Sequence, residues 1–135
     1  MTKMDMIWVA VATILYPETS SSKTVTVGEI EAQVVKLFGA AVTRVMIAGH
    51  LVSSEDRQAD KADPRRGGSR NRYLFRTSDG NAPSRDGRFR LYKEADATHD
   101  GWDKTGPTHP GSQAVEAEYR YLIEWYERQY VVVHA

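Results

Sequence analysis

Residues 24–52 read TVTVGEIEAQVVKLFGAAVTRVMIAGHLV, and the prediction of the fold rests on them. The first half has apolar residues at helical spacing, and Thr26 stands three residues before Glu29, the spacing of a capping box. Gly39 follows the last apolar residue as a C-terminal cap. The pattern predicts a short β-branched strand or an extended entry segment over 24–27, followed by a helix that ends at Gly39.

A further helix is predicted after a short turn, over residues 42–52. Thr43 is its expected N-cap, and Ile47 and Leu51 form an apolar pair four residues apart. Gly49 inside the segment lowers its helix propensity by roughly 1 kcal/mol relative to Ala. Two helices joined by about four residues that include a glycine have the spacing of a helix-turn-helix.

The flanking segments complete the predicted architecture. Residues 4–16 (MDMIWVAVATILY) are apolar almost all round, which predicts a first helix buried on most of its surface. Residues 53–70 are polar and contain proline and paired glycines, so we expect a flexible basic loop. Residues 71–77 (NRYLFRT) and 88–93 (RFRLYK) alternate around turn residues, which predicts an antiparallel hairpin.

Alternation along the hairpin predicts one aromatic face in the core and one basic face in solvent. The face expected in the core holds Tyr73, Phe75 and Phe89. The face expected in solvent holds Arg76, Arg88 and Arg90, and Leu74 falls on it too. Arginines on an exposed strand also discourage edge-to-edge aggregation, which is the structural alternative to a binding role.

The C-terminal part is predicted to be an irregular acidic segment followed by a helix. Residues 94–111 contain prolines and glycines, and the helix is expected from Gln113 to about Tyr130. One face of this helix is apolar and aromatic: Val115, Tyr119, Leu122, Trp125 and Tyr126. The stripe either packs on the first helix or forms a homodimer interface, and the core is the favoured interpretation.

Composition excludes several classes of protein. The 135 residues include no cysteine, which removes disulfides, thiolate nucleophiles and cysteine-based zinc sites. No run of apolar residues is long enough to cross a membrane, and we expect a cytoplasmic protein.

The overall net charge of zero hides a strong segregation of charge. Residues 57–93 carry eleven basic and four acidic residues, a net charge of +7, whereas residues 94–135 have a net charge of −5. Residues 1–56 have a net charge of −2. A concentrated basic block is typical of proteins that bind nucleic acid.

The order of elements resembles the winged helix-turn-helix domains of DNA-binding proteins. The resemblance covers residues 4–93 and is carried by VGEIEAQVVKLFG, TRVMIAGHL and the pair NRYLFRT/RFRLYK. It implies an α+β fold with a hairpin wing, to which an aromatic C-terminal helix is added within one domain, 1–135. The hairpin and the closing helix are also similar to an uncharacterised bacterial domain associated with restriction-type nucleases, a similarity that implies no mechanism.

The resemblance implies that the helix beginning at Thr43 enters the major groove of DNA. Arg44 is then placed to contact guanine O6 and N7, and Thr43 a phosphate. A pure capping role for Thr43 and a solvated surface position for Arg44 are the structural alternatives. The other candidates are arginines expected on the phosphate backbone or in the minor groove: Arg65, Arg66, Arg70, Arg72, Arg76, Arg88 and Arg90.

The sequence therefore predicts a duplex DNA-binding protein that is not an enzyme and uses no cofactor. No GxSxG, Walker-type loop or dinucleotide glycine fingerprint occurs. His99, Asp100, Asp103 and His109 could be drawn as a metal site, but they lie in an irregular stretch without helical pairing. Two alternatives stay open. One is a winged-helix protein-interaction module, and the other is an RNA or single-strand binder that stacks bases on Tyr73, Phe75 or Tyr92.

Overall fold

Helices and a small mixed sheet form an α+β fold in the computed structural model, which describes residues 1–18, 23–43, 46–47, 52–53, 73–76, 88–92 and 108–129. The helices are α1 (Lys3–Leu15), α2 (Val27–Phe38) and α3 (Arg120–Gln129). The strands are β1 (Val25–Thr26), β2 (Val52–Ser53), β3 (Leu74–Arg76) and β4 (Arg88–Leu91). None of the described helices is both long and apolar enough to cross a membrane.

The predicted first helix is confirmed as α1, and it lies at the centre of the core. Thr2 caps it, because its Oγ1 accepts a hydrogen bond of 3.1 Å from the Asp5 N–H. Every residue from Ile7 to Ala12 has 0% of its surface exposed. A helix that is apolar all round gains free energy only when other elements cover it on several sides.

The predicted capping box and C-terminal cap of α2 are both confirmed. The Glu29 N–H donates to Thr26 Oγ1 at 3.2 Å, and the Thr26 N–H donates to Glu29 Oε1 at 2.9 Å. Gly39 ends the helix with a φ of 64°, a left-handed conformation that favours glycine. The helix buries Ile30 and Val34 completely. Local hydrogen bonds therefore determine where α2 begins and ends, and the core determines which of its faces is buried.

The sheet has the order β1-β4-β3-β2. The predicted short strand and antiparallel hairpin are confirmed, since β4 pairs antiparallel with both β1 and β3. At the other edge, β2 pairs parallel with β3, with Val52 opposite Leu74. The prediction of helix up to Val52 and loop from Ser53 is therefore wrong at these two residues. Their pairing partners lie more than twenty positions away along the chain, beyond the reach of a local helical pattern.

The predicted facing of the hairpin is also wrong. The register aligns Leu74 with Leu91 and Phe75 with Arg90. Leu74, Leu91 and Phe89 have 0% exposure, whereas Phe75 is only half-buried. Since neighbouring residues on a strand point to opposite faces, Phe75 and Phe89 cannot share the core face in this register.

The C-terminal helix begins later than predicted. Residues Ser112–Ala114 and Ala117–Tyr119 form two 3-10 turns, and α3 starts only at Arg120. Between the turns, Val115 is extended (φ −117°, ψ 153°) and 3% exposed. Val115 therefore reaches the core from extended backbone rather than from a helix.

The apolar stripe of α3 packs in the core, as the favoured interpretation predicted. Leu122, Trp125 and Tyr126 are all buried. The rings of Tyr126 and Trp8 meet edge to face at 5.6 Å, and those of Trp125 and Tyr16 at 5.3 Å. These contacts join α3 to the middle of α1 and to Tyr16, the residue that follows α1.

We expect Trp125→Ala to destabilise the protein strongly, because truncating a buried tryptophan costs about 3–5 kcal/mol. For a chain of this size the melting temperature should fall by about 10 °C or more. The matched control is Tyr121→Ala on the same helix, where the parent side chain is 45% exposed and the change should be small. Equal melting temperatures for the parent and Trp125→Ala, measured by circular dichroism, would contradict the packing of α3 on α1.

Candidate nucleic-acid interface

The residues predicted to contact DNA fall into three groups in the structure. Thr43, Arg88 and Arg90 are described with their side chains, and Arg76 with its backbone as the last residue of β3. The other predicted residues lie outside the described part of the chain: Arg44, Arg65, Arg66, Arg70 and Arg72.

Thr43 begins a helical turn, as predicted. Its Oγ1 accepts a hydrogen bond of 3.2 Å from the Met46 N–H, and its carbonyl accepts one of 3.2 Å from the Ile47 N–H. Val42 and Ile47 are buried on either side, whereas Thr43 is exposed. A hydroxyl that accepts one hydrogen bond still has a proton to donate, so capping and phosphate contact are chemically compatible at Thr43.

Arg88 is exposed at the first position of β4, as predicted. Its backbone pairs with Thr26 of β1. Its Nη1 donates to Thr24 Oγ1 at 3.4 Å, which directs the guanidinium across the edge of the sheet. A positive charge therefore lies at the surface where β1 and β4 meet.

Arg90 is not exposed, and the prediction of a solvent-facing side chain there is wrong. Only 9% of Arg90 is accessible, and its guanidinium carbon lies 4.6 Å from the centre of the Phe75 ring. Its Nη1 also donates to the Leu91 carbonyl at 3.2 Å. The cause is the register, because the cross-strand partner of Arg90 is an aromatic ring on which a guanidinium can stack. Arg90 therefore packs against the hairpin rather than reaching away from it.

A set of buried hydrogen bonds holds the end of the hairpin nearest the helices, which we call the foot. The Tyr73 hydroxyl donates to Asp5 Oδ1 of α1 at 3.1 Å. The Tyr92 N–H donates to the Tyr73 carbonyl at 3.1 Å, and the Tyr126 hydroxyl of α3 donates to the Tyr92 carbonyl at 2.5 Å. These four residues form a tyrosine clamp that connects α1 to α3 through the foot of the hairpin.

Sequence reasoning missed the tyrosine clamp, although one signal for it was present. Asp5 is the single acidic residue in the otherwise apolar segment 4–16. A carboxylate that is 7% exposed on a buried helix requires a hydrogen-bond donor, and that donor had to come from elsewhere in the chain. Which donor it would be could not be read from the sequence, because Tyr73 lies 68 residues away.

The environment of Tyr73 keeps its hydroxyl protonated. Burial raises the pKa of Tyr73 most, and the negative charge of Asp5 and the hydrogen bond to it raise the pKa further, well above its ordinary value. The hydroxyl therefore remains a donor to Asp5 at any physiological pH.

The structure gives His109 a packing role. Its Nδ1 lies 2.6 Å from the Pro110 carbonyl, which can only accept, so Nδ1 carries the proton. Its ring lies 5.3 Å from that of Tyr126 and 6.3 Å from that of Trp8. Within the described residues, no group of three or more acidic or histidine side chains could hold a metal ion. Residues 99, 100 and 103, considered above as ligands, lie outside them.

Comparison of the chain with protein-family models, with curated proteins and with solved structures gave no match. The function is therefore inferred from the charge distribution and from the geometry of the described residues.

We expect Tyr73→Phe to lower the free energy of unfolding at neutral pH by about 1–3 kcal/mol, because Asp5 loses its donor while buried. The difference in the free energy of unfolding between the parent and Tyr73→Phe should become smaller as the pH rises above about 10, the ordinary pKa of tyrosine. In that range the unfolded parent ionises Tyr73 and the folded parent does not, so the contribution of this side chain to stability is lost. Urea denaturation from pH 7 to pH 11 measures it.

Tyr121→Phe is the matched control, since it removes a hydroxyl from a tyrosine that is 45% exposed. If the free energies of unfolding of the parent and of Tyr73→Phe differ by the same amount from pH 7 to pH 11, the raised pKa of Tyr73 is contradicted.

Proposed function

We propose that this protein binds duplex DNA as a winged helix-turn-helix domain and catalyses no reaction. The turn that begins at Thr43 would present the recognition helix to the major groove. The hairpin would act as the wing, and the arginines at 65–72 and at the far end of the hairpin would contact the phosphate backbone.

The observation that carries this proposal is the hairpin itself. Its foot is buried and hydrogen-bonded to two helices, and Arg88 is exposed at the other end of β4. The hairpin belongs to the block of residues 57–93, whose net charge is +7. Protection of a sheet edge accounts for one or two arginines, but such a concentration of positive charge suits a polyanion.

The arrangement of the described elements supports the winged-helix resemblance. The short strand β1 lies between α1 and α2 in the chain and pairs with β4, the second strand of the hairpin. Thr43 caps a helical turn four residues after Gly39, as a helix-turn-helix requires. The parallel strand β2 is an addition to the pattern, placed where the chain leaves the segment that starts at Thr43.

Burial of the aromatic residues favours duplex over single-stranded nucleic acid. Tyr73 is 4% exposed and Tyr92 is 2% exposed, so neither ring offers a face to a base. One face of Phe75 is already covered by the guanidinium of Arg90. Stacking on successive bases, on which single-strand binding depends, would require the foot of the hairpin to open.

A homodimer or a protein contact through α3 is a second candidate, favoured by one exposed aromatic pair. Tyr16 is 41% exposed and Tyr121 is 45% exposed, and their rings meet edge to face at 5.1 Å. Tyrosines at a surface are typical of protein interfaces. Sedimentation of the samples used for the DNA titrations reports whether the chain associates.

We expect the affinity for random-sequence duplex DNA to fall steeply between 50 and 200 mM salt. With four to six phosphate contacts, the plot of log association constant against log salt should have a slope of about −4 to −5. Fluorescence anisotropy with a labelled duplex measures it, and single-stranded DNA and RNA of equal length test the alternatives. Absence of binding at 50 mM salt, or a slope near zero, would refute the proposed function.

Arg44→Ala and Arg66→Ala should affect DNA binding differently. Loss of a base contact at Arg44 should weaken binding to a selected preferred site by about 1–3 kcal/mol and reduce the preference for that site. Loss of a phosphate contact at Arg66 should weaken binding to all sequences alike and make the salt slope shallower by about one. If both variants lose affinity equally on preferred and random DNA, the recognition helix is wrongly assigned and only backbone binding remains.

A further inference from the structure

The outward face of α3 carries an aromatic ring, an acid and a base in one row. Tyr121, Glu124 and Arg128 follow one another at intervals of three and four residues, so they lie within about 60° of each other around the helix. All three are exposed, and we call them the outer row. The core does not use this row, because α3 packs inward through Trp125 and its other buried residues.

The side chains of the outer row have no charged partner within one copy of the chain. Among the residues that the structure describes, neither Glu124 nor Arg128 forms an ion pair or a side-chain hydrogen bond. The Tyr121 ring is 45% exposed but held in place, because it meets the Tyr16 ring edge to face at 5.1 Å. A ring that is already fixed loses little conformational freedom when a partner binds.

We propose that the outer row is a docking surface for a second copy of this chain. The two α3 helices pack antiparallel about a two-fold axis that passes between residues 124 and 125. This axis places Tyr121 of each copy opposite Arg128 of the other. The dimer names a partner for the protein contact considered above, and it does not depend on DNA binding.

An antiparallel pairing makes the outer row complementary to itself. Each Arg128 guanidinium stacks on the Tyr121 ring of the other copy, a favourable contact for a planar cation. Glu124 lies three residues from Tyr121, about 4.5 Å along the helix, so its carboxylate is within reach of the same guanidinium. The two Glu124 side chains lie near the axis, and each turns away from the other toward the opposing Arg128. The dimer therefore has two stacking contacts and two ion pairs.

The charges of the row favour a second copy over other partners. The row has one acid and one base, so a partner of a single charge sign would bring like charges together at Glu124 or at Arg128. A phosphate backbone would also meet Glu127, which is exposed one turn beyond Glu124. A second copy supplies the same three side chains in the reverse order, which satisfies both charges.

The contact is small, so the dimer is expected to be weak. Tyr121 and Arg128 are seven positions apart, about 10 Å along the helix. Interfaces that bury less than about 1,200 Å² in total belong to the transient class. We expect a dissociation constant of about 100 µM, so that the chain is a monomer near 10 µM and largely a dimer near 1 mM.

The test reverses one charge of the row at a time and then mixes the variants. In Arg128→Glu alone and in Glu124→Arg alone, like charges meet across the axis. An equimolar mixture of the two variants restores both ion pairs and one of the two stacking contacts in a heterodimer. Sedimentation equilibrium of the full chain without DNA, from about 10 µM to about 1 mM, measures the average mass. Circular dichroism checks that each variant is folded.

Lys36→Glu is the matched control, since it changes the net charge by the same amount as Arg128→Glu but on α2. Lys36 is exposed and lies about 200° around α2 from Phe38, whose ring contacts Tyr119 at 5.5 Å. Alone, this variant should dimerise as the parent does. Its mixture with Glu124→Arg has the same opposite net charges as the first mixture, but it should have a lower average mass, because like charges still meet at one of the two contacts.

We expect the dissociation constant of the dimer to rise by about thirtyfold or more in each single reversal. The mixture of Arg128→Glu and Glu124→Arg should return to within about fivefold of the parent, since one stacking contact is lost. Tyr121→Ala should weaken the dimer by about tenfold, whereas Tyr121→Phe keeps the ring and should match the parent.

Three results would overturn the proposal, and none of them bears on the proposed DNA binding. A parent chain that is still a monomer near 1 mM does not form this dimer. A dimer that persists unchanged in both single reversals forms through another surface. If the reversals abolish the dimer and their mixture does not restore it, the two α3 helices do not pair in the antiparallel register.

Discussion

The structure depends on the burial of α1, a thirteen-residue helix with almost no polar side chain in its middle. Exposure of such a helix to water is unfavourable on every side, so α2, α3 and β4 all pack against it. Their positions around α1 bring together residues that are distant along the chain. The foot of the hairpin and the aromatic stripe of α3 meet only because both lie on this helix.

One polar group on α1 carries a particular consequence. Asp5 is buried, and a buried carboxylate is tolerated only where a donor reaches it. The Tyr73 hydroxyl meets that need and fixes the first residue of the hairpin at the start of α1. The need of a buried carboxylate for a donor thus determines where the hairpin is attached to α1. Tyr126 attaches the hairpin to α3 in a similar way, because its hydroxyl donates to the Tyr92 carbonyl.

The arginines of the hairpin have different roles although they alternate regularly in the sequence. Arg88 is exposed at the first position of β4. Arg90, two residues further toward the foot, is buried over Phe75. The difference follows from the register, because Arg90 lies opposite the Phe75 ring, whereas Arg88 lies opposite Thr26 of the edge strand β1. Counting arginines along the chain therefore overestimates the number that could meet a phosphate.

Features that depend on neighbours within four residues were predictable from the sequence. The capping box of Thr26 and Glu29, the Gly39 cap and the Thr43 cap all form hydrogen bonds across three or four positions. The apolar run of residues 4–16 likewise determined that the first helix would be buried, because no arrangement of that run leaves it a polar face.

Only the tertiary structure decided the register of the hairpin, the strand at Val52 and the extended backbone at Val115. The alternation in the segment NRYLFRT is compatible with either Phe75 or Leu74 facing the core. Leu74 faces the core because it pairs with Leu91 above α1. The tyrosine clamp was decided in the same way, by hydrogen bonds that join residues 68 and 34 positions apart. Such contacts exist only after the chain has packed, since their free energy comes from burying both partners together, and no local pattern encodes it.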